Sequence, residues 1–474
     1  MTETYGNLIN GEWIKDGETF DVFNKYTNEP IAKICKADEA LTKKAIDNAY
    51  ETFKNERLSV IERHDILMKA VELFRKHKEE VAQIICAEAG KTIRDARTEV
   101  ERGIQTFIAS AEEAKRICGQ GMPIQAMPGN DEKMAFSIRE PIGVVCAITP
   151  FNFPFNLTAH KIAPAIAAGN TVVLKPAEKT PITAIKMGEI LLEAGLPKGF
   201  LNIVNGFGHE IGPILTSDER IAMYTFTGSP AVGKLIKNST GIRPVTLELG
   251  NNSPNIIHHD VKDLDRAVEL VVTKGFGNSG QACIAVQRVY VHEDIYEEVL
   301  EKAKQIAENL KVGDPSLEET DVGPMIGLEE AKRTENWVKE AVEQGAEIVV
   351  GGKREGSLFH PTILKNVTEE MKVMCEEVFA PVISIVPYND IDEVFQKVND
   401  SKFGLQAGIF TSDIHVAMKA AKELEFGGIN INDVSTFRAD ILPYGGVKDS
   451  GFGKEGPRSA IEEMTVEKVI TMHI

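Results

Sequence analysis

The chain has 474 residues, which is too long for one simple hydrophobic core, so we expect two or more domains. Charged residues make up 26% of the chain and apolar residues 43%, an ordinary balance for a soluble globular enzyme. The formal net charge of -18 argues against nucleic acid or an anionic membrane surface as the main partner. This net charge does not exclude an anionic small molecule as a ligand, because a local basic pocket can make the electrostatic potential positive at the site.

The cysteine pattern indicates a reducing compartment. The 6 cysteines are widely spread, with no CxxC pair and no histidine cluster nearby, which is typical of free thiols rather than disulfides or a metal site. The first residues lack the basic and apolar regions of a signal peptide, and no apolar run approaches the ~20 residues that span a bilayer. We therefore expect a cytoplasmic protein with no metal and no membrane contact.

The region from Asp38 to Ile117 is predicted to be helical, and an excursion from the globule follows it. Apolar residues recur at helical spacing between Asp38 and Ile117. Glycine, proline, methionine and polar residues then fill Met122 to Ile138, which predicts an extended segment. Such a segment leaves unpaired strand edges, and another chain normally covers them.

Short apolar runs then alternate with amphipathic segments. Candidate buried strands lie at 143–148, 171–175 and 201–204, with helix-like segments at 157–168 and 182–194 between them. This rhythm predicts a parallel, doubly wound sheet. A second α/β series runs from Glu248 to about Ser435, with candidate strands at 286–291, 347–350 and 382–386.

One strand-to-helix junction has the features of a phosphate site. The segment Phe226–Gly233 closes a strand and opens a helix, with Ser229 as the N-cap and Pro230 as the first helical residue. Free N–H groups and the helix dipole favour phosphate there, although the GxGxxG pattern is absent. Taken alone, an ordinary capped helix start explains these residues better.

Two segments carry the candidate chemistry. Gly277–Cys283 places one thiol behind a run of small and amide-bearing residues, and Val245–Gly250 places Glu248 at the end of an apolar strand. A thiolate is a strong nucleophile, and a positioned carboxylate can act as its base or activate water. A lone cysteine would more often be a buried structural residue.

Together with further segments, these stretches resemble the aldehyde dehydrogenase superfamily. Any one stretch is weak evidence, but the ordered set extends along nearly the whole chain. The resemblance implies NAD(P)-dependent oxidation of an aldehyde through a covalent thioester (EC 1.2.1.-). The stretches that carry it are 148–154, 175–178, 226–229, 248–250, 277–283, 377–381 and 443–451.

The resemblance also implies the aldehyde dehydrogenase fold. This is an α/β fold with a Rossmann-like cofactor domain, an α/β catalytic domain and a small β oligomerisation excursion. We assign residues 1–118 and 138–247 to the NAD(P)-binding domain and 248–440 to the catalytic domain. Residues 119–137 and 441–474 are the oligomerisation and bridging segments, and we expect a homodimer or homotetramer.

By the same resemblance, the catalytic residues are Cys283, Glu248 and Asn152. Cys283 attacks the aldehyde, the Asn152 amide and the Cys283 backbone N–H hold the oxyanion, and Glu248 activates the hydrolytic water. Members that transfer the acyl group to coenzyme A tend to lack this glutamate, so its presence favours a free acid product. Asn152 could otherwise be a turn residue.

The family's usual Gly-Gly-Lys after the glutamate is Gly250-Asn251-Asn252 here, and asparagine tolerates a left-handed backbone.

For the cofactor, Glu178 favours NAD, because a carboxylate accepts hydrogen bonds from the ribose hydroxyls and repels a 2′-phosphate. Lys175 keeps NADP possible, and without the resemblance the two residues are equally well a solvated pair at a helix start. Glu377 and Phe379 match the pair that holds the nicotinamide ribose and packs beside the ring. The expected cofactor-binding residues are Thr149, Pro150, Phe151, Lys175, Ala177, Glu178, Thr227, Gly228, Ser229, Leu249, Gly250, Glu377 and Phe379.

The substrate pocket carries cationic candidates. Arg102, His160 and Arg438 suggest an anionic tail on the aldehyde, because an arginine fork donates two parallel bonds to an oxyanion. Arg102 could instead pair with Glu99 or Glu101, and His160 could be a core histidine. The expected substrate-binding residues are Arg102, Phe153, His160, Ala282, Ile284, Phe437 and Arg438.

The expected substrate is a short aldehyde with a sulfonate, phosphonate, phosphate or carboxylate group. Within the family the chain resembles the branch that acts on sulfolactaldehyde, phosphonoacetaldehyde, succinate semialdehyde or lactaldehyde. Neutral lactaldehyde or glycolaldehyde stays open. A cysteine esterase would not explain the cofactor stretches, and a non-catalytic relative would need a broken cofactor site, of which no sign is visible.

Overall fold

Two large sheets organise the part of the chain that the computed structural model describes, residues 3–474. The helices, in chain order, are α1 (Glu39–Asn55), α2 (Val60–Lys76), α3 (Lys78–Ala89), α4 (Ile93–Ala114), α5 (Asn156–Ala168), α6 (Pro181–Glu193), α7 (Gly208–Ser217), α8 (Pro230–Ser239), α9 (Leu264–Phe276), α10 (Tyr296–Asn309), α11 (Leu328–Glu343), α12 (Lys372–Cys375), α13 (Ile391–Asn399), α14 (Ile414–Glu423) and α15 (Pro457–Glu463).

The strands, in chain order, are β1 (Glu3–Tyr5), β2 (Asn7–Ile9), β3 (Glu12–Ile14), β4 (Thr19–Phe23), β5 (Pro30–Cys35), β6 (Gly121–Met122), β7 (Lys133–Pro141), β8 (Val144–Ile148), β9 (Thr171–Lys175), β10 (Leu201–Ile203), β11 (Ile221–Thr227), β12 (Val245–Glu248), β13 (Pro254–Ile257), β14 (Arg288–His292), β15 (Glu347–Val350), β16 (Arg354–Glu355), β17 (Leu358–Phe359), β18 (Thr362–Lys365), β19 (Val382–Tyr388), β20 (Gln406–Phe410), β21 (Gly428–Ile431), β22 (Gly451–Phe452) and β23 (Thr465–His473).

The first large sheet has the strand order β22-β12-β11-β8-β9-β10-β2-β3. Its five central strands are parallel, and their apolar residues are buried on both faces. Helix α5 lies so deep that every one of its residues is buried, including a histidine and a lysine. The carboxyl ends of β8, β9, β11 and β12 therefore lie along one edge of this sheet, where an open α/β sheet binds its ligand.

The second large sheet has the order β15-β18-β19-β14-β13-β20-β21. Here β18, β19, β14, β13, β20 and β21 run parallel, and only β15 is antiparallel at the edge. The chain passes from the first sheet to the second between Glu248, the last residue of β12, and Pro254, the first of β13. The candidate site lies near this crossing. Glu248 begins the crossing, and the loop after α9 contacts it, because Gln287 N donates to Ser253 O.

The predicted excursion is a small separate sheet of β6, β7 and β23. Strand β23 pairs antiparallel with β7 along its whole length, from Thr465 opposite Pro141 to His473 opposite Lys133. The C-terminal segment therefore joins the excursion, as predicted. A 3₁₀ turn at Ile124–Ala126 interrupts the extended path, because its residues close i→i+3 hydrogen bonds.

The predicted α/β class is confirmed, as are most predicted elements. The helices between Asp38 and Ile117, the strands at 144–148 and 171–175 and helix α5 between these strands lie where the pattern placed them. Strand β14 begins at Arg288 rather than 286, because the N–H groups of Gln287 and Arg288 both bond to Ser253 O before the ladder starts. No helix within residues 3–474 has the length and apolarity needed to cross a membrane.

Candidate active site

The loop that presents Cys283 is held in an unusual backbone conformation. After α9 three consecutive residues, Asn278–Gly280, have positive φ angles of 51°, 55° and 68°. A Cβ at Gly280 would collide with the carbonyl of Ala380, so glycine is required there. The Ser279 hydroxyl donates to Gly323 O at 2.7 Å and anchors the turn. The strained, anchored turn fixes the position of the thiol.

Two hydrogen-bond donors at the cysteine loop have free N–H groups. The Asn152 side-chain amide donates to Gln281 O at 2.9 Å, which ties it to the cysteine loop and leaves its second N–H uncommitted. The backbone N–H of Cys283 finds no acceptor among residues 3–474. The arrangement can therefore stabilise a negative oxygen next to the sulfur.

Glu248 is a buried carboxyl group without hydrogen bonds. It is 2% exposed, and neither carboxyl oxygen has a partner among residues 3–474. Burial, followed by repulsion from Glu455, raises the pKa of Glu248 well above its ordinary value. A Cβ at Gly445 would lie 3.0 Å from Glu248 Oε1, so the glycine leaves room for this side chain. A carboxyl group kept uncommitted in this way is suited to proton transfer.

The Cys283 side chain is partly buried, and it has one polar contact. Burial raises the pKa of the Cys283 thiol to about 12, while a hydrogen bond with Tyr444 acts in the opposite direction. The Tyr444 hydroxyl lies 3.3 Å from Cys283 Sγ. The Tyr444 ring in turn lies under the guanidinium of Arg438, 3.7 Å from the ring centre.

The cofactor side of the site contains the predicted helix start. Ser229 is the N-cap of α8 and accepts from Val232 N at 3.4 Å, and Pro230 is the first helical residue, as predicted. A Cβ at Gly228 would overlap the ring of Phe226, so the turn requires glycine. Strand β11 ends at Thr227, directly before this turn. The N–H groups at the start of α8 can therefore receive a phosphate.

Lys175 and Glu178 lie at the carboxyl end of β9. Lys175 Nζ donates to Pro176 O at 3.0 Å and lies 3.5 Å from the carboxylate of Glu178. Burial lowers the pKa of Lys175. Glu178 is 38% exposed, so its carboxylate can still receive ribose hydroxyls.

Glu377 and Phe379 lie across the site from that pair. Glu377 accepts from Asn251 N at 3.0 Å, and a Cβ at Gly250 would collide with its carboxylate. Burial raises the pKa of Glu377 to about 7. Phe379 has φ +52° and meets the Phe151 ring edge-on at 5.9 Å. The cradle at Gly228 and Gly250, with carboxylates at Glu178 and Glu377, fits a dinucleotide carrying two ribose groups.

The turn after Glu248 is built differently from the sequence-based expectation. Neither Asn251 nor Asn252 has a positive φ angle, so their tolerance of left-handed backbone is not used. Both are buried and act through their side chains. Asn251 Nδ2 donates to Ser253 Oγ at 2.7 Å, and Asn252 Nδ2 donates to Met374 O at 2.9 Å. They join the crossing between the two sheets to the second sheet's loops.

A cavity of about 650 Å³ leads to Cys283. No group of three or more His, Cys, Asp or Glu side chains within residues 3–474 is arranged to hold a metal. Of the predicted substrate-binding residues, six line this cavity: Arg102, Phe153, Ala282, Ile284, Phe437 and Arg438. The seventh, His160, does not, and its substrate-binding role stays a prediction. Its side chain is fully buried on α5, behind Arg438, so the core alternative describes it better.

Asp440 collects the cationic side chains at the inner side of the cavity. Arg102 donates to it through Nε and Nη2, at 2.8 and 2.9 Å, and His160 Nε2 lies 2.9 Å from the same carboxylate. Although burial opposes it, the hydrogen bonds from His160 and Arg102 hold the pKa of Asp440 far below its usual range. The alternative pairing of Arg102 with Glu99 or Glu101 is not observed, because those two acids bind Lys91 and Lys78.

Arg438 belongs to a second buried ion pair. Its Nη2 donates to Glu455 Oε2 at 3.0 Å, and Lys161 Nζ donates to the other oxygen of Glu455 at 2.9 Å. Arg438 Nε makes no hydrogen bond, although Asp440 lies 3.6 Å away. Arg102 Nη1 and Arg438 Nη1 also have no partner among residues 3–474. Both guanidinium groups therefore keep donors free on the cavity side.

Sequence reasoning missed four residues of this site: Asp440, Glu455, Lys161 and Tyr444. One signal was present, since Lys161 is a charged residue inside the otherwise apolar helix α5, which indicates a buried ion pair. The acids carried no comparable signal, because Arg102, His160 and Lys161 lie 338, 280 and 294 residues away from the acids that they contact.

The fold and the site define a class: an enzyme with a dinucleotide cradle that faces a cysteine nucleophile and an uncommitted glutamate. The model of the family described as "Aldehyde dehydrogenase family" matches residues 13–470. The chain belongs to the aldehyde dehydrogenase family, and it oxidises an aldehyde with NAD or NADP as the cofactor.

Two named relatives and one solved structure are similar to this chain over nearly its whole length. The chain is 54% identical to the "3-sulfolactaldehyde dehydrogenase" of Priestia megaterium over 474 residues, covering 100% of this chain and 99% of the relative. It is 42% identical to the "Lactaldehyde dehydrogenase" of Methanocaldococcus jannaschii over 471 residues, covering 98% and 99%. A solved structure, aldehyde dehydrogenase 21 from Physcomitrella patens in complex with the reaction product succinate, aligns with a TM-score of 0.97 and 40% identity, covering 100% and 99%.

Proposed function

We propose that this enzyme oxidises a short aldehyde with an anionic tail, a sulfonate first of all, to the free carboxylic acid. The observation that carries this proposal is the pair of guanidinium groups, Arg102 and Arg438, in the wall of the cavity that ends at Cys283. Their free Nη1 groups can each donate a hydrogen bond to a tetrahedral or planar oxyanion.

The proposed reaction has two halves around Cys283. The thiol gives up its proton and the sulfur bonds to the aldehyde carbon, so that the carbonyl oxygen becomes an oxyanion held by the Asn152 amide and the Cys283 N–H. A dinucleotide held by Glu178, Glu377 and the turns at Gly228 and Gly250 would supply the acceptor for the hydride from that carbon, and Cys283 would then carry the acyl group as a thioester. Glu248 removes a proton from water, the water oxygen bonds to the acyl carbon, and the carbon–sulfur bond breaks. The acid leaves, and the sulfur regains its proton.

Charge at the inner end of the cavity supports an anionic tail. The carboxylates of Asp440 and Glu455 stand behind the arginines and do not line the cavity. Lys161 adds a third cation to these two acids. Burial, followed by the nearby Arg438, lowers the pKa of His160, so this histidine is neutral. The group therefore has an excess of positive charge that a tail such as a sulfonate can neutralise.

The relatives support the same proposal. The relative with 54% identity over the whole chain is named for an aldehyde with a sulfonate group, and the structural neighbour holds succinate, a dicarboxylate. The relative named for lactaldehyde, a neutral hydroxyaldehyde, favours the alternative substrate class. A kinetic comparison of sulfolactaldehyde, succinate semialdehyde, lactaldehyde and propanal tests the proposal. A higher kcat/KM for the neutral pair would contradict it.

Arg438→Ala is expected to lower kcat/KM for the anionic aldehyde about ten- to a hundredfold, since a hydrogen bond to a charged partner contributes ~1.5–3 kcal/mol. It should change kcat/KM for propanal much less. Arg438→Lys keeps a cation beside Glu455, so its kcat/KM for the anionic aldehyde should fall between those of the wild type and Arg438→Ala. Arg94→Ala is the matched control, because Arg94 lines the same cavity but is half-exposed and paired with Asp321. An equal loss on both aldehydes would show that Arg438 holds the loop and not the substrate.

For the cofactor we propose a preference for NAD. The Lys175 ammonium is held by Pro176 O and Glu178, so its charge is not free for a 2′-phosphate. The wild-type enzyme should therefore show a higher kcat/KM with NAD than with NADP, and Glu178→Gln should narrow the gap. Glu193→Gln, at the far end of α6, should leave the ratio unchanged. A wild-type preference for NADP would mean that Lys175 governs the site.

We also infer that the small sheet of β6, β7 and β23 pairs with another chain, giving a dimer or a dimer of dimers. Its strands expose apolar side chains and a free edge. The exposed residues are Met134, Val466, Val469 and Met472.

A further inference from the structure

We propose that the Tyr444 hydroxyl is a further catalytic residue, which donates a hydrogen bond to Cys283 Sγ and increases the fraction of thiolate available for attack. The inference rests on the proposed role of Cys283 as the nucleophile. It adds a donor on the sulfur itself, whereas Asn152 and the Cys283 N–H serve the substrate oxygen.

The contact between the two side chains is exclusive. Tyr444 Oη lies 3.3 Å from Cys283 Sγ, within hydrogen-bond range for sulfur. Neither the hydroxyl nor the thiol has another hydrogen-bond partner in residues 3–474. Tyr444 is 6% exposed and lines the same cavity as Cys283. Among residues 3–474 the Tyr444 hydroxyl therefore makes no structural hydrogen bond, although a buried phenol normally has one. Its one partner is the reacting sulfur.

The tyrosine is held in place from two directions. Its backbone forms a bridge with Glu455, in which Tyr444 N donates to Glu455 O at 3.0 Å and Glu455 N donates to Tyr444 O at 2.7 Å. Its ring lies beneath the Arg438 guanidinium, 3.7 Å from the ring centre. Arg438 is itself fixed by Glu455. The phenol is therefore preorganised toward the sulfur before substrate enters.

The direction of the hydrogen bond follows from the surrounding charges. Burial, followed by the nearby Cys283, raises the pKa of Tyr444 far above its usual value, so the phenol keeps its proton and can donate. The other charged groups that face Cys283 are Glu377 and Glu248, which disfavour the thiolate, and Arg438, which favours it. A donor on sulfur stabilises the thiolate relative to the thiol.

The effect has a sign that depends on pH. When the sulfur bonds to the aldehyde carbon it loses its negative charge to the carbonyl oxygen, so the hydrogen bond from Tyr444 weakens. A stabilised thiolate is more abundant but intrinsically less nucleophilic. The hydroxyl therefore helps while most of the thiol is protonated, and it gives no advantage once the thiol is fully ionised.

The test is the pH dependence of Cys283 alkylation by iodoacetamide, without aldehyde, in the wild type, Tyr444→Phe and the control Tyr296→Phe. Tyr296 is a buried tyrosine whose hydroxyl bonds only to Ile385 O. Peptide mass spectrometry follows Cys283, with the exposed Cys118 as an internal reference. In Tyr444→Phe, alkylation of Cys283 should be about tenfold slower at about pH 7 to 10, where the thiol is largely protonated, and the difference should narrow as the pH approaches the pKa of the thiol. Tyr296→Phe should follow the wild type.

Two outcomes would overturn the inference. An unchanged alkylation rate would show that the hydroxyl does not act on the thiol, and a slower rate accompanied by weakened NAD binding would show that Tyr444 only supports the loop. Repeating the series in Glu248→Gln separates the tyrosine from the glutamate, because the difference in rate must persist without that carboxyl group. Alkylation of Cys283 that leaves aldehyde oxidation intact would instead refute the proposed nucleophile.

Discussion

Cys283→Ala is expected to reduce aldehyde oxidation by at least about 10³-fold while leaving dinucleotide binding largely intact. The thiol is the only group in the proposed reaction that forms a covalent bond with the substrate. The Cys283 side chain has one polar contact, with Tyr444, and the strained turn before it is held by Ser279 and Gly280 rather than by the thiol. Removing the sulfur should therefore remove chemistry without disturbing the cofactor cradle.

The measurement pairs NADH formation with calorimetric titration of NAD. Cys118→Ala is the control, since Cys118 is exposed and precedes the small sheet. Substantial oxidation by the alanine variant would refute the nucleophile. Loss of NAD binding would show that the variant has changed the loop. Cys283→Ser, which puts a hydroxyl in place of the thiol, would then show whether oxidation is lost through the changed loop or through the missing sulfur.

The sequence predicted those parts of the fold that depend on local patterns. The apolar runs at 144–148 and 171–175 fill parallel strands, and the Ser229-Pro230 pair begins α8, because capping and strand burial are decided within a few residues. The position of Glu248 at the end of β12 follows in the same way.

The charged wall of the cavity was predicted only in part. Arg102 and Arg438 line the cavity, but Asp440, which binds Arg102, lies 338 residues away in the chain. No periodicity connects such partners, since they meet only after both sheets have formed. The sequence pattern also left the position of His160 relative to the cavity open, for a related reason. Helix α5 is buried all round, so the apolar pattern does not reveal which face turns toward the cavity.

Glu248→Gln is expected to give a first-turnover burst of NADH and then to stall at the thioester. Glutamine has nearly the same shape, and neither Glu248 oxygen has a hydrogen-bond partner among residues 3–474 that the exchange would disturb. What is lost is a group that can accept a proton from water. Acylation should therefore proceed, while steady-state turnover should fall by about 10²–10⁴-fold, the usual contribution of a general base.

The pH dependence follows from the burial of this carboxyl group. Burial and Glu455 raise the pKa of Glu248, so its base form is lost as the pH falls through that raised value. Wild-type steady-state turnover should therefore rise with pH until Glu248 is ionised, whereas the residual turnover of Glu248→Gln should lack this limb.

Glu463→Gln is a suitable control, because Glu463 accepts from Thr246 on the same strand but lies outside the cavity. Quenched-flow detection of NADH and mass spectrometry of the acylated Cys283 peptide report the two halves separately. A variant without a burst would place Glu248 earlier, as the base for the thiol, and a variant with normal turnover would assign water activation to another group.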